Sequence, residues 1–145
     1  MMRLPQFVLA VVVVLLAAAA PRAAFSDDSG IADFLTQSAR DWNGGRLDAF
    51  MRSYENSPAT LYIGSKTVIH GYAAIRAHYA SHYGKSHMGV LSFSGLSDRL
   101  LGSDYAVVVA HWHLAMTNGT HPTGIFSLVL HRSPAGWRII DDHTP

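Results

Sequence analysis

Asp141 and His143 stand two residues apart near the end of a β-rich run that begins at Gly136. In a strand, residues two apart project from one face, and here that face also carries Trp137 and Ile139. A carboxylate beside an imidazole on an otherwise apolar wall is an acid/base arrangement. The imidazole takes or gives the proton, and the carboxylate orients it. The expected pair is therefore His143 as general base or acid, with Asp141 holding it in place. Asp142 points the other way in a regular strand and is the alternate if the strand frays at the chain end. The plainer reading of the same tail is a strand terminus held by hydrogen bonds, and the sequence leaves both open.

Aromatic residues supply the other candidate groups. Tyr54 and Tyr79 fall on the apolar sides of expected helices, and Tyr62 lies in a short expected strand. Trp112 shares a strand face with Ala106, Val108, Ala110 and Leu114, and Phe126 shares one with Leu128 and Leu130. Small residues beside one large one leave room, as a pocket wall does. A phenol in an apolar site donates to a carbonyl or enolate oxygen; the same phenol with a satisfied hydroxyl is ordinary core. Tyr54, Tyr62, Tyr79, Trp112 and Phe126 are the candidate ligand-binding residues.

The chain has nine histidines and no cysteine. Without cysteine there is no disulfide, no thiolate nucleophile and no cysteine-held zinc. His78 and His82 sit at i and i+4 on an expected helix, a spacing that can chelate a metal. No glutamate follows His78, so the H-E-x-x-H pattern is missing. His111 and His113 lie opposite Trp112 and are assigned to the outer sheet face, with His131 of the same parity but further along the hairpin. No metal site and no cofactor are expected. The formal net charge is +1 with the charges scattered, which leaves no basic stripe for nucleic acid. Asn118-Gly119-Thr120 matches a glycosylation sequon and also makes a tight hairpin turn, the reading favoured here.

These residues need elements to position them. Arg3, an apolar run over 7–20 and small residues after it read as a secretory signal peptide, cleaved after Ala24 or Ser26. The run is shorter than the ~20 residues a membrane span needs. Residues 1–26 are therefore set apart from a single domain over 27–145. Asp28 or Ser29 can cap a first helix carrying Ile31, Phe34, Leu35 and Trp42, which Asn43-Gly44-Gly45 stops. Leu47, Phe50, Met51 and Tyr54 mark a second helix, and Tyr72, Ile75, Tyr79 and Tyr83 a third. Short strands are expected over 60–63 and 67–70, and long ones over 90–100, 105–116, 123–132 and 137–142. Helices first and long strands last mean an α+β fold, with three helices on one face of a twisted antiparallel sheet.

Several strings stand in a set order and spacing: Trp42 with Gly45-x-Leu47-Asp48 and Phe50-x-x-x-Tyr54; Gly71-x-x-x-Ile75 with Tyr79; Ala106-x-Val108-x-Ala110-x-Trp112; Gly124-x-Phe126; and Gly136-Trp137-Arg138-Ile139-Ile140 before Asp142-His143-Thr144. Together they resemble the SnoaL-like branch of the nuclear transport factor 2-like superfamily. The resemblance implies a cone-shaped fold over 27–145, three N-terminal helices on a strongly curved antiparallel sheet, an interior cavity, and homodimers through the outer sheet face. It does not supply a reaction, because the superfamily holds isomerases, cyclases, dehydratases, binding proteins and association domains. The expectation is an exported protein, periplasmic or secreted and free of the membrane after cleavage. It binds a small apolar or carbonyl-containing molecule as a carrier or sensor. The alternatives are a cofactor-independent isomerase, cyclase or dehydratase moving a proton next to a carbonyl, and a dimerisation module without chemistry.

Overall fold

The computed structural model describes residues 29–84 and 88–145. The expected signal segment, 1–26, and its cleavage site lie outside the described residues. Three helices, α1 (Ile31–Asn43), α2 (Leu47–Met51) and α3 (Tyr72–His82), accompany six strands: β1 (Leu61–Ile63), β2 (Val68–His70), β3 (Val90–Leu101), β4 (Tyr105–Ala115), β5 (Thr123–Ser133) and β6 (Gly136–His143). The strands form one sheet in the order β2-β1-β6-β5-β4-β3. The fold is α+β as expected. All neighbouring strands are antiparallel except β1 and β6, which run parallel. The sheet is thus mostly antiparallel, and the one parallel neighbour is β1, which enters in the direction of β6.

The helices cover one face. Leu35 and Trp42 of α1, Met51 of α2 and Ile75 of α3 are buried against Val108, Leu128, Leu130 and Ile139 of the sheet. Polar side chains fasten α1 at both ends. At its start, Ile31 N–H donates to Ser29 Oγ and the Trp137 indole donates to the Ser29 carbonyl at 2.8 Å. At its end, the Trp42 indole donates to the Met88 carbonyl at 2.8 Å. The Asn43 amide meets the Leu91 backbone twice, donating to its carbonyl at 2.9 Å and accepting its N–H at 2.7 Å. The amide thus acts as one more rung at the edge of β3.

Two one-residue insertions bend the sheet. On β3, Ser94 pairs with His111 but Ser97 pairs with Val109, so one residue of the Gly95–Leu96 pair is surplus. Gly95 takes φ +64° there, a left-handed conformation that favours glycine. On β6, Ile139 pairs with Leu130 while Asp141 pairs with Val129, which leaves Ile140 as the surplus residue. A bulge of this kind turns two consecutive side chains to the same side and reverses the alternation beyond it. Trp137 and Ile139 are buried, Ile140 and Asp141 are both half-buried, Asp142 is buried and His143 is exposed.

The expectation that Asp141 and His143 share the inner face with Trp137 is thereby corrected. Asp142 takes the inward place, by a bulge within the strand rather than by fraying. A second correction concerns α2, which ends at Met51. Tyr54 leaves the helix and forms a parallel bridge to Ile139. Alternation on β4 follows expectation: Ala106, Val108, Ala110 and Leu114 are buried, Trp112 is half-buried, and His111 and His113 are exposed on the outer side.

Leu130 sits between β4 and β6 with no exposed surface. Leu130→Ala truncates a side chain that is wholly buried in the core between helices and sheet. It should lower the unfolding free energy by about 2–5 kcal/mol in urea titration; a loss below about 1 kcal/mol would mean that this part of the core is not packed as described.

Candidate functional site

Between the helices and the concave face of the sheet lies a cavity of about 120 Å³. Its walls are mostly apolar: Leu35 and Trp42 from α1, Phe50 from α2, and Leu91, Phe93, Trp112, Leu114, Phe126, Leu128 and Ile139 from the sheet. Its polar lining comes from Ser38, Tyr54, Tyr62, Tyr79, Tyr83, Asp142 and Thr144. The structure therefore gathers Tyr54, Tyr62, Tyr79, Trp112 and Phe126 around one space. It leaves Asp141 and His143 off it and brings Asp142 in.

Each polar group is placed by a different element. Asp142 follows the β6 bulge and is matched to Tyr62 of β1 in the parallel register. Tyr54 is held by backbone pairing: Ile139 N–H donates to the Ser53 carbonyl at 2.8 Å, and Glu55 N–H donates to the Ile139 carbonyl at 2.9 Å. The same strand thus carries the carboxyl and anchors the phenol that meets it. Tyr79 projects from α3, its ring set edge-on to Phe50 at 5.3 Å and to Trp42 at 6.0 Å between centroids. Those rings leave its hydroxyl 2.9 Å from that of Tyr54.

The hydrogen bonds form a continuous run. Tyr54 donates to Asp142 Oδ2 in a short contact. Thr144 donates to Asp142 Oδ1 at 2.5 Å. Burial pushes the Asp142 carboxyl above its usual range, opposed by the hydroxyls of Thr144, Tyr54 and Tyr79 and by the nearby His143. Burial and the Asp142 charge push the Tyr54 and Tyr79 phenols well above theirs, so both remain protonated. Burial raises Tyr62 and Tyr83 as well. An arrangement of this sort can bind one polar group at the end of an apolar space, or exchange a proton with it through Asp142.

Trp112 contributes a wall and an unusual donor. Its indole lies across Gly124, where a Cβ would fall 2.8 Å from Nε1. Glycine is the residue that permits this approach. Nε1 is buried and has no hydrogen-bond partner, a costly state for a donor.

The remaining candidates are dispersed. The His78 and His82 rings lie with centroids 4.3 Å apart and tilted by 41°, and His82 Nδ1 donates to the His78 carbonyl. Burial lowers the His78 imidazole, and its ring lies 5.1 Å from that of Tyr62 at the rim of the cavity. No group of three potential metal ligands occurs among the described residues. His113 is engaged by Ser94 and Thr123 on the outer face, and His131 pairs with Glu55 at 2.7 Å. A wider cleft beside α2 and α3 is lined by Arg46 and Arg76, whose charges are taken up by Asp41 and Asp48.

Thr144 and Trp42 are not among the candidate site residues read from the sequence, where both stand only in the strings that carry the resemblance and Trp42 also as helix core. Thr144 has the parity of Asp142, and the bulge is what reveals both.

Comparison with family profiles gives no match, and comparison with curated proteins gives none. Solved structures do match. An NTF-2-like protein of unknown function from Shewanella oneidensis MR-1 is 30% identical, with 78% of this chain and 93% of that one aligned at a TM-score of 0.73. A nuclear transport factor 2-like superfamily protein from Salmonella enterica is 20% identical over 78% of this chain and 85% of its own, at 0.64. An NTF2-like protein with a cystatin-like fold from Novosphingobium aromaticivorans is 18% identical over 78% and 77%, at 0.62.

Burial of Asp142 makes a pH prediction. Its carboxyl binds a proton more tightly in the folded chain than in the unfolded one, so protonation favours folding. That contribution is full below the unfolded value, 3.8, and is lost as pH rises through the elevated folded value. Asp142→Asn removes it. In urea unfolding at stepped pH from about 3 upward, the stability of the variant relative to the parent should rise across this window; parallel curves would refute the burial account.

Proposed function

The chain belongs to the nuclear transport factor 2-like superfamily, and we propose that it holds one small, mostly apolar molecule in the interior cavity as a carrier or sensor. Membership gives the scaffold and leaves the function to the site. The observation that carries the reading is the contrast within the cavity: mostly apolar walls with one hydrogen-bonded cluster of polar groups, Tyr54, Tyr79, Asp142 and Thr144. An apolar pocket with a few convergent polar groups is the usual form of a small-molecule site. Burying a carboxyl costs free energy unless its oxygens are satisfied, so a merely structural core has little reason to keep one beside an open space.

A second reading has its own support. A carboxyl raised by burial and turned toward a cavity is suited to abstract or return a proton next to a carbonyl, the step shared by isomerases, cyclases and dehydratases. In that reading Asp142, not the expected His143 with Asp141, is the base. Exchange of α-protons of a small cyclic ketone in heavy water, catalysed by the protein and lost in Asp142→Asn, would move the assignment from carrier to enzyme.

The chain is further proposed to act outside the cytoplasm, periplasmic or secreted, on the strength of Arg3, the apolar run and the small-residue exit in 1–26. A homodimer through the outer sheet face is supported by Val109 and Ile125, which are 40% and 54% exposed there, beside His111 and His113.

Native mass spectrometry of the gently purified protein tests these points together. The expected spectrum is a dimer that retains added small-molecule mass. Leu91→Trp, which places a larger ring at the cavity wall, should lose that mass while the dimer persists. A chain that carries no added mass and takes up no small apolar molecule when challenged would refute the binding function.

A further inference from the structure

The hydrogens at the polar end of the cavity run in one direction. A hydroxyl has one proton to give and two lone pairs to accept with. Tyr54 gives its proton to Asp142 Oδ2. At its 2.9 Å contact with Tyr79 it can then only accept, so Tyr79 must be the donor there. Thr144 gives its proton to Oδ1, at 2.5 Å. The protons of Tyr79, Tyr54 and Thr144 are all drawn toward the carboxylate, which is 4% exposed and depends on them for compensation. At this end of the cavity, what remains turned to an occupant is lone pairs: those of Tyr79 Oη first, and the unused ones of Asp142; Tyr62, Tyr83 and Ser38 stand on the wall outside this hydrogen-bonded run. The indole N–H of Trp112, the one orphaned donor among the buried side chains of the described residues, lies closed over Gly124 and has no surface in the cavity.

A carbonyl ligand fits this end poorly. To bind it, Tyr79 would have to turn its proton away from Tyr54. Two oxygens 2.9 Å apart would then face each other with no hydrogen between them, and the buried carboxylate would lose the outer link of its chain. A hydroxyl ligand extends the same chain by one donor and breaks nothing. Size narrows the class further. The cavity volume of about 120 Å³ is of the order of the ~150 Å³ that admits a benzene ring in an apolar protein cavity.

Resting on the binding function proposed above, we infer that the cavity selects a single-ring molecule bearing a hydrogen-bond donor, an alcohol or phenol whose hydroxyl donates to Tyr79, over the carbonyl compound of the same size. Tyr79 is the specificity-determining contact, and Tyr54 and Asp142 act through it by fixing which way its proton points.

Cyclohexanol and cyclohexanone have nearly the same volume and differ in the donor, with cyclohexane as the apolar control. Each is titrated into the intact protein at about pH 8 and followed by NMR chemical-shift perturbation. Cyclohexanol should bind about tenfold more tightly than cyclohexanone, the scale of one hydrogen bond to a charged network. Tyr79→Phe keeps the ring and its packing but removes the acceptor, and the ratio should fall to about one. Asp142→Asn should also abolish the preference, because an amide can donate to Tyr54 and reverse the chain. Equal affinity for all three compounds would overturn donor selection and leave the binding function standing. Tighter binding of cyclohexanone, or a tenfold ratio that survives either substitution, would overturn it as well. Failure of all three to bind would bring down the binding function together with it.

Discussion

One surplus residue in β6 decides which carboxyl the fold takes indoors. Between Ile139 and Asp141 the strand advances two positions while its partner β5 advances one. Without that step Asp141 and His143 would follow Ile139 onto the concave face, and Asp142 would look outward. With it, Asp142 and Thr144 enter the cavity and His143 is exposed. The parallel pairing with β1 keeps the same phase, because Tyr62, the cavity-facing residue of β1, is matched to Asp142 and not to its neighbour. Every later feature of the site depends on this phase: the phenol that meets the carboxyl, the threonine that caps its other oxygen, and the direction of the hydrogens between them.

The carboxyl is tolerable there only because the backbone brings hydroxyls to it. A buried charge without partners costs several kcal/mol or more. Tyr54 is brought in by leaving α2 early and pairing along β6 beside Ile139, three residues before Asp142. Tyr79 arrives from the opposite layer, with its ring wedged among Trp42 and Phe50 and its hydroxyl at the tip. Helix and sheet therefore meet at a polar point inside an apolar space. The aromatic rings around it close off solvent, which strengthens each hydrogen bond and raises the cost of losing one. The polar cluster is consequently more demanding of geometry than the core around it, and the rigid anchoring of α1 by Trp42, Asn43 and Trp137 at its two ends serves that demand.

The layout of the fold was legible in the residues. Helical spacing of Ile31, Leu35 and Trp42, the small-large alternation through Ala106 to Leu114, and the Ser133–Gly136 turn all describe elements found in the structure. The aromatic candidates were legible for the same reason: Tyr79, Trp112 and Phe126 sit in regular elements, where parity and helical period say which way a side chain points. The polar centre was not. Alternation is a rule for regular strands, and nothing in Trp137-Arg138-Ile139-Ile140-Asp141-Asp142 announces a bulge. Two β-branched residues and two aspartates in succession read equally well in either phase. The parallel entry of β1 was hidden similarly, since strand direction depends on where the chain returns to the sheet and not on local pattern.

The same ambiguity explains why two neighbouring aspartates have such different surroundings. Asp141, on the bulged side, shares its surface with half-buried Ile140 and can turn to water. Asp142 has no such choice, and its two oxygens are engaged by Tyr54 and Thr144. A carboxylate in that position orders its neighbours: a hydroxyl next to a negative oxygen points its proton at it, and a hydroxyl next to that one follows. The outermost member, Tyr79, is therefore polarised by the same carboxylate as Tyr54. Reading a cavity by the residue types on its wall would count its four tyrosines as four donors. Reading it by where the protons must go makes Tyr79, the outermost phenol of the run, an acceptor, and this reverses the kind of molecule the wall would welcome.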